Sequence, residues 1–248
     1  MPFFSIIIAT YNSQKTLKRA IDSVIGQSFD DYEIIIVDGD SKDDTMSIVR
    51  GYNNQHFGYC VSEKDRGIYD AWNKGVSGAR GEWICFLGSD DFLMPDALSD
   101  YFNVINSNER SLNYVSSKVR LINDQGRCLN VIGKPWNWRL FRKYMCVAHV
   151  GSMHHHSLYK NYGFYDISYK SSGDYEFLLR VGENVNAAFF NKVTASMQYG
   201  GISGNRNGLL ETYKAKTKTA NVPRYKAYTD HMLALAKHWI RKYVYEGK

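Results

Sequence analysis

The chain is predicted to be an α/β protein with a mostly parallel central sheet, flanking helices, a small added β-hairpin and a C-terminal helical tail. Three observations predict this. Strand-length apolar runs alternate with helix-period segments through the first hundred residues, carboxylates stand directly after several of those runs, and the rhythm changes after Pro95.

Phe3 to Ala9 reads as a buried strand. Leu17, Ala20, Ile21, Val24 and Ile25 then recur at helical spacing, with Asn12 or Ser13 as the expected cap. Tyr32 to Val37 is a second buried strand ending on Asp38, so strand, helix and strand form a right-handed crossover. A third strand over His56 to Ser62, a helix over Ile68 to Ala79 and a strand over Glu82 to Leu87 continue the alternation. Beyond Pro95 a helix runs to about Asn106. Alternating segments, Asn113 to Ile122 and Arg127 to Ile132, then flank the turn Asp124-Gln125-Gly126 as a hairpin. Trp136 to Met145, Ser157 to Tyr162 and Asp174 to Val181 are expected as helices and Asn186 to Met197 as extended chain. Gly200 to Gly204 is expected as a flexible loop, and most of the last forty residues as helix. The expected organisation is one domain over 1–200, in halves 1–95 and 96–200, with an extension over 201–248.

The composition, 44% hydrophobic and 23% charged, is that of a folded globular chain, and no run reaches the roughly 18 apolar residues of a membrane span. Met1 to Ile8 lacks a basic leader and a cleavage site, so a cytosolic protein is expected. The four cysteines are widely spaced, without a zinc or disulfide pattern, and are expected as reduced core residues. Ten Lys and Arg against three Asp and Glu lie from Arg206 onward, more than accounting for the net charge of +6. A basic tail on a near-neutral body suits an anionic partner surface or is a solvated helical face.

The chemistry-bearing residues gather where strands end. Gly81 to Asp91 is an apolar strand delivering Asp90 and Asp91 at its C-terminal end, the rim where open α/β sheets bind ligands. Paired carboxylates there suit Mg²⁺ or Mn²⁺ shared with substrate phosphates, or they form a polar turn before the next helix. Neither a G-x-G-x-x-G fingerprint nor a P-loop is present, so any nucleotide is held another way. Asp38 can accept from a pyrimidine N–H and Tyr11 can stack on a base, so this rim could read uracil. His154-His155-His156 is not expected to bind metal, because adjacent residues on a strand alternate faces.

Four segments in order resemble the signatures of glycosyltransferase family 2. They are Ser5 to Asn12, Ile35 to Thr45, Ser62 to Gly75, and Gly81 to Asp91. The resemblance implies a GT-A fold and an inverting transfer of one sugar from a nucleotide sugar, with Mn²⁺ or Mg²⁺. It implies that Thr10, Tyr11 and Asp38 contact the base, that Asp90 holds the ribose or sugar and that Asp91 holds the metal. Asp65 and Lys74 fall near the nucleotide, and His149 near the diphosphate unless it is a core histidine. Ser171 to Arg180 resembles the segment that supplies the general base, here Asp174, a residue that also suits a helix N-terminus. Asp166, after Gly163-Phe164-Tyr165, resembles a turn of the family and is expected to be structural, and Gly88 stands where many relatives carry Asn. The Q-x-x-R-W of processive members is absent, only Trp136-Asn137-Trp138-Arg139 being present.

The implied acceptor is a saccharide, expected on a polyprenyl diphosphate in surface-polysaccharide synthesis such as O-antigen. Trp239, Tyr243 and Tyr245, interleaved with Lys237, Arg241 and Lys242, suit an anionic membrane face or packing on the domain. No nucleic-acid partner is expected. A sugar nucleotidyltransferase and a nucleotide-sugar binding subunit remain as alternatives.

Overall fold

The computed structural model describes residues 1–53, 55–200 and 206–246. Most of the loop expected at Gly200 to Gly204 lies outside the described residues, as do the side chains of Arg241, Lys242 and Tyr245.

The first half is built from β1 (Phe4–Thr10), α1 (Leu17–Ile25), β2 (Tyr32–Asp38), α2 (Thr45–Arg50), β3 (Phe57–Ser62), α3 (Ile68–Gly78) and β4 (Trp83–Gly88). Every residue of β1 and β2 is buried, which is why both read as continuous apolar runs rather than alternating ones. Ile6, Ile8, Ile34 and Ile36 face one layer with Leu17, Ile21 and Val24 of α1, while Ile7, Ile35 and Val37 face the other with Tyr69 and Ala71 of α3. Each fully buried isoleucine contributes on the order of 2 kcal/mol. Gly75 lets α3 approach β1 closely, since a Cβ there would lie 2.5 Å from Ile7 Cγ2.

The second half comprises β5 (Phe92–Leu93), α4 (Ala97–Asn106), β6 (Tyr114–Ile122), β7 (Cys128–Ile132), α5 (Trp138–Phe141), β8 (Ser152–His155), α6 (Ser157–Tyr162), α7 (Gly173–Val181) and β9 (Ala187–Gln198). The helices α8 (Arg206–Lys218) and α9 (Arg224–Glu246) follow. The sheet order is β3-β2-β1-β4-β8-β6-β9-β5, with β7 as the expected hairpin partner of β6. The run β3-β2-β1-β4 is parallel, β8 joins β4 and β6 antiparallel, and β6 and β9 are parallel.

Several local expectations are corrected. Helix α2 and strands β5 and β8 were not anticipated, because each is shorter than a periodic pattern reveals. The helix expected over Trp136 to Met145 contracts to α5, where Asn137 Oδ1 accepts from the Leu140 N–H at 2.9 Å and caps it. Cys85 and Cys146 are core residues, but Cys60 and Cys128 are exposed. No helix among the described residues is long and apolar enough to cross a membrane.

Candidate active site

Strands β1, β2 and β4 end in register, with Thr10 beside Asp38 and Ala9 beside Gly88, so their following loops share one rim. Those loops are joined by hydrogen bonds. The Asn12 N–H donates to Ser41 Oγ at 2.8 Å, the Lys42 N–H to Asn12 Oδ1 at 2.9 Å, and the Ser13 N–H to Thr45 Oγ1 at 2.7 Å. Ser13 Oγ also meets Ser89 Oγ at 2.8 Å, tying in the third loop. Asn12 and Asp40 adopt left-handed φ values of 49° and 67°, a conformation that Asn and Asp tolerate best. Asn12 therefore clips two loops together instead of capping α1, which begins at Leu17.

Asp38 is fully buried. Its carboxylate accepts from the Ser41 N–H at 3.0 Å, from the Ser41 hydroxyl and from the Ser62 hydroxyl at 2.6 Å, so it shapes the loop that follows β2. Thr10 Oγ1 is buried with no partner among the described residues, whereas Tyr11 is 63% exposed and free to cover a planar ring.

Asp90 and Asp91 converge over Gly88. A Cβ at Gly88 would lie 2.6 Å from Asp91 Oδ2 and 2.9 Å from Asp90 Oδ1, so glycine makes the pairing possible. Asp91 is 5% exposed and accepts the Gln198 N–H at 2.9 Å. Burial, and next the charge of Asp90, push its carboxyl up to about 7. Arg19 Nη2 donates to the Asp90 carbonyl at 2.6 Å, fixing the turn from the α1 side. A hard divalent cation fits this donor set, because it would neutralise two converging oxygen ligands, one of them buried and offset only in part by the charge of Arg19. Among the described residues no group of three or more His, Cys, Asp or Glu gathers as a metal site, so the remaining ligands would be substrate oxygens and water.

The segment before α3 closes one side of the rim. Asp65 Oδ1 accepts the Gly67 N–H at 2.9 Å, and its other oxygen lies where a Gly39 Cβ would stand, 2.7 Å away. Lys74 Nζ pairs with Glu63 at 3.0 Å and donates to the Lys64 carbonyl at 3.2 Å, so it braces this segment.

Asp174 stands in the first turn of α7 and faces the same segment. Its Oδ1 accepts from the Tyr69 hydroxyl at 3.1 Å and from the Tyr175 N–H at 2.9 Å, while its Oδ2 has no partner among the described residues. Lys170 Nζ donates to the Arg66 carbonyl at 2.6 Å, a second link from the α7 side to the α3 side. The N–H groups of Lys170, Ser171 and Ser172 all donate to the Glu211 carboxylate at 2.8 to 3.0 Å, so α8 is docked at the start of α7. Asp166 accepts the Ser168 N–H at 2.8 Å and closes the turn expected there.

His149 stacks on Trp72 and Phe86, with centroids at 4.7 and 5.3 Å. Both its nitrogens are buried without a partner among the described residues, and burial holds its pKa below the usual histidine value. His154 is fully buried against Tyr159, while His155 pairs with Ser157 and with Glu82 and lies 5.0 Å from the His156 ring, so His154 is turned away from the other two. Tyr69, Glu211, Ser41 and Arg19 were not read as site residues. Tyr69 was legible only as a packing residue, and no local signal marks Glu211, which arrives from a distant helix.

Residues 5–160 match the family described as Glycosyl transferase family 2. The chain is 32% identical over 210 residues to a PGL/p-HBAD biosynthesis glycosyltransferase of Mycobacterium bovis, covering 82% of this chain and 79% of that one. It is 30% identical over 205 residues to the chondroitin synthase of Escherichia coli, covering 78% of this chain and 29% of the synthase. In fold it is similar to S. aureus TarS solved in complex with UDP, with a TM-score of 0.71, 20% identity, and coverage of 99% of this chain and 72% of that one. It is also similar to the mannosyltransferase PcManGT from Pyrobaculum calidifontis, solved with GDP-Man and Mn²⁺, with a TM-score of 0.64, 16% identity, and coverage of 95% and 74%.

Proposed function

The chain belongs to glycosyl transferase family 2 and is a glycosyltransferase of glycan biosynthesis, and from that premise we propose that it transfers one sugar, with inversion, from a UDP-sugar to a saccharide acceptor. The observation that carries this reading is the convergence of Asp90 and Asp91 over Gly88 at the rim shared by β1, β2 and β4. A buried carboxyl raised to about 7 is a group whose ionisation a cation would stabilise. Asp91 would hold Mn²⁺ or Mg²⁺, and Asp90 the ribose or donor sugar. The metal, when bound, supplies charge stabilisation to the departing diphosphate.

Tyr11 covers the uracil, and Thr10 and the loop shaped by Asp38 line its edge. Asp65 and Lys74 keep the segment above the nucleotide in place, and His149, stacked on Trp72 and Phe86 with both nitrogens buried, lies on the diphosphate side in this reading. Asp174 Oδ2 takes the acceptor hydroxyl proton as that oxygen bonds to the anomeric carbon, and the bond from that carbon to the UDP oxygen breaks on the opposite face. Similarity to a UDP-bound structure supports the uridine nucleotide.

Calorimetry tests the donor site. UDP, GDP, dTDP and CMP are titrated with and without Mn²⁺ into the wild type and Asp91→Asn. Metal-dependent UDP binding lost in the variant is expected, and equal binding of all four nucleotides by both proteins would refute the reading.

The proposed acceptor is carried on a polyprenyl diphosphate, with the enzyme held at an anionic membrane by α9. Tyr225, Tyr228, Met232, Leu233, Trp239, Ile240 and Tyr243 are all exposed. At 100° per residue they share an arc of about 140°. Ala227 is buried and His231 Nδ1 donates to the Leu209 carbonyl at 3.2 Å on the opposite face, so α9 both packs on α8 and leaves an aromatic stripe outward. Exposed Arg224, Lys226 and Lys237 flank the stripe, a composition that suits the headgroup region of anionic lipid. Co-sedimentation with phosphatidylglycerol vesicles should be lost in Trp239→Glu/Ile240→Glu, and unchanged partitioning would refute membrane docking.

A further inference from the structure

We propose that Tyr69 is a positioning residue that orients Asp174, linking the segment over the donor to the proton acceptor. The proposal rests on the reading of Asp174 as the base.

Tyr69 is buried in α3, and its ring lies directly beneath the start of α7. A Cβ at Gly173 would come within 2.9 Å of three atoms of that ring, so only glycine lets α7 begin there. The ring meets Trp72 edge-on at 5.2 Å and Tyr165 at 5.6 Å, which leaves the phenol one direction, toward Asp174 Oδ1 at 3.1 Å. Burial first, and then the charge of Asp174, push the phenol well above its usual range, so it remains a neutral donor.

Two donors on Oδ1, the Tyr69 hydroxyl and the Tyr175 N–H, leave Oδ2 as the oxygen that can take a proton. The ionisable groups that act on Asp174 are Tyr69 of α3, Tyr114 of β6, and His149 and Tyr165. The three tyrosines are held above their usual range and the histidine below its own by burial, so all are neutral near pH 7. Glu176 on the same helix and Glu211 at its start are carboxylates. Lys170 also donates to the Arg66 carbonyl at 2.6 Å, three residues before Tyr69, so the donor-side segment and the start of α7 are tied at two points.

The test is ¹³C NMR of aspartate carboxyls in the full chain, with the Asp174 signal assigned by its loss in Asp174→Asn. Tyr69→Phe should move the Asp174 carboxyl resonance at fixed pH, as expected for loss of a hydrogen bond to one of its oxygens. Replacing Tyr69 by 3-fluorotyrosine, a stronger donor of nearly the same shape, should move it in the opposite sense, and this arm remains informative if Tyr69→Phe does not fold. An unchanged resonance in both variants would overturn the proposal. Hydrolysis of UDP-glucose, UDP-galactose and UDP-N-acetylglucosamine, with water as acceptor, is measured in parallel. In Tyr69→Phe kcat should fall with donor KM unchanged. A shifted resonance together with full hydrolysis by Asp174→Asn would instead overturn the base assignment and leave the Tyr69 contact standing.

Discussion

Replacing Asp91 by asparagine is expected to stabilise the ligand-free protein at pH 8 and to leave it nearly unchanged at pH 4. The folded carboxyl is raised from its ordinary value of 3.8 to about 7, so the ionised form is disfavoured by folding. For a raised acid the sign is opposite to that of a salt-bridged one. Stability is lost as pH climbs from the unfolded to the folded value, and the loss is complete above about 7. A shift of about three units corresponds to roughly 4 kcal/mol. Asparagine keeps an oxygen for the Gln198 N–H but brings an amide that needs its own partner, so a net gain of about 2 kcal/mol is expected at pH 8. Urea unfolding of both proteins at pH 4, 6 and 8 measures this directly. Mn²⁺ with UDP should reverse the order, stabilising the wild type and not the variant. An asparagine variant that is equally destabilised at all three pH values would show that Asp91 is held by its neighbours rather than strained, and would refute the reasoning.

The other predictions concern neighbouring contacts. Gly88→Ala would place a Cβ 2.6 Å from Asp91 Oδ2, so metal-dependent nucleotide binding, read by calorimetry, should weaken about tenfold or more while the fold, read by circular dichroism, persists. Glu211→Ala would leave the N–H groups of Lys170, Ser171 and Ser172 unpaired, costing about 2 kcal/mol in urea unfolding and lowering kcat, with Glu211→Gln intermediate. Burial pushes the Glu33 carboxyl up, but hydrogen bonds from Ser5 and Arg80 outweigh it and hold it below its usual value. That stability is present above the unfolded value of about 4.5 and fades as pH falls through the folded one. Arg80→Leu should therefore cost about 1–2 kcal/mol at pH 7 and distinctly less at pH 3.5 by thermal unfolding, the arginine being 62% exposed.

Long periodic segments were legible because periodicity is a local property. Ile6 to Ala9 and Ile34 to Val37 can only be strands covered on both faces, and Leu17, Ala20, Ile21 and Val24 can only be one helical stripe. Short elements escaped, as β8 did, because four residues hold no period. An asparagine before a helix looks like a cap, and only the loop after β2 shows that Asn12 clips Lys42.

The sequence by itself determined the parallel first half, the carboxylates at the ends of its strands, and the motif order that marks the family. These depend on residue type and spacing along one chain. Only the tertiary structure decided that Asp90 and Asp91 close over Gly88, that Tyr69 meets Asp174 across 105 positions, and that Glu211 returns from α8 to the start of α7. Such contacts follow from how separate layers stack, and burial, which raises Asp91 and silences His149, is a property of the packed whole rather than of any segment.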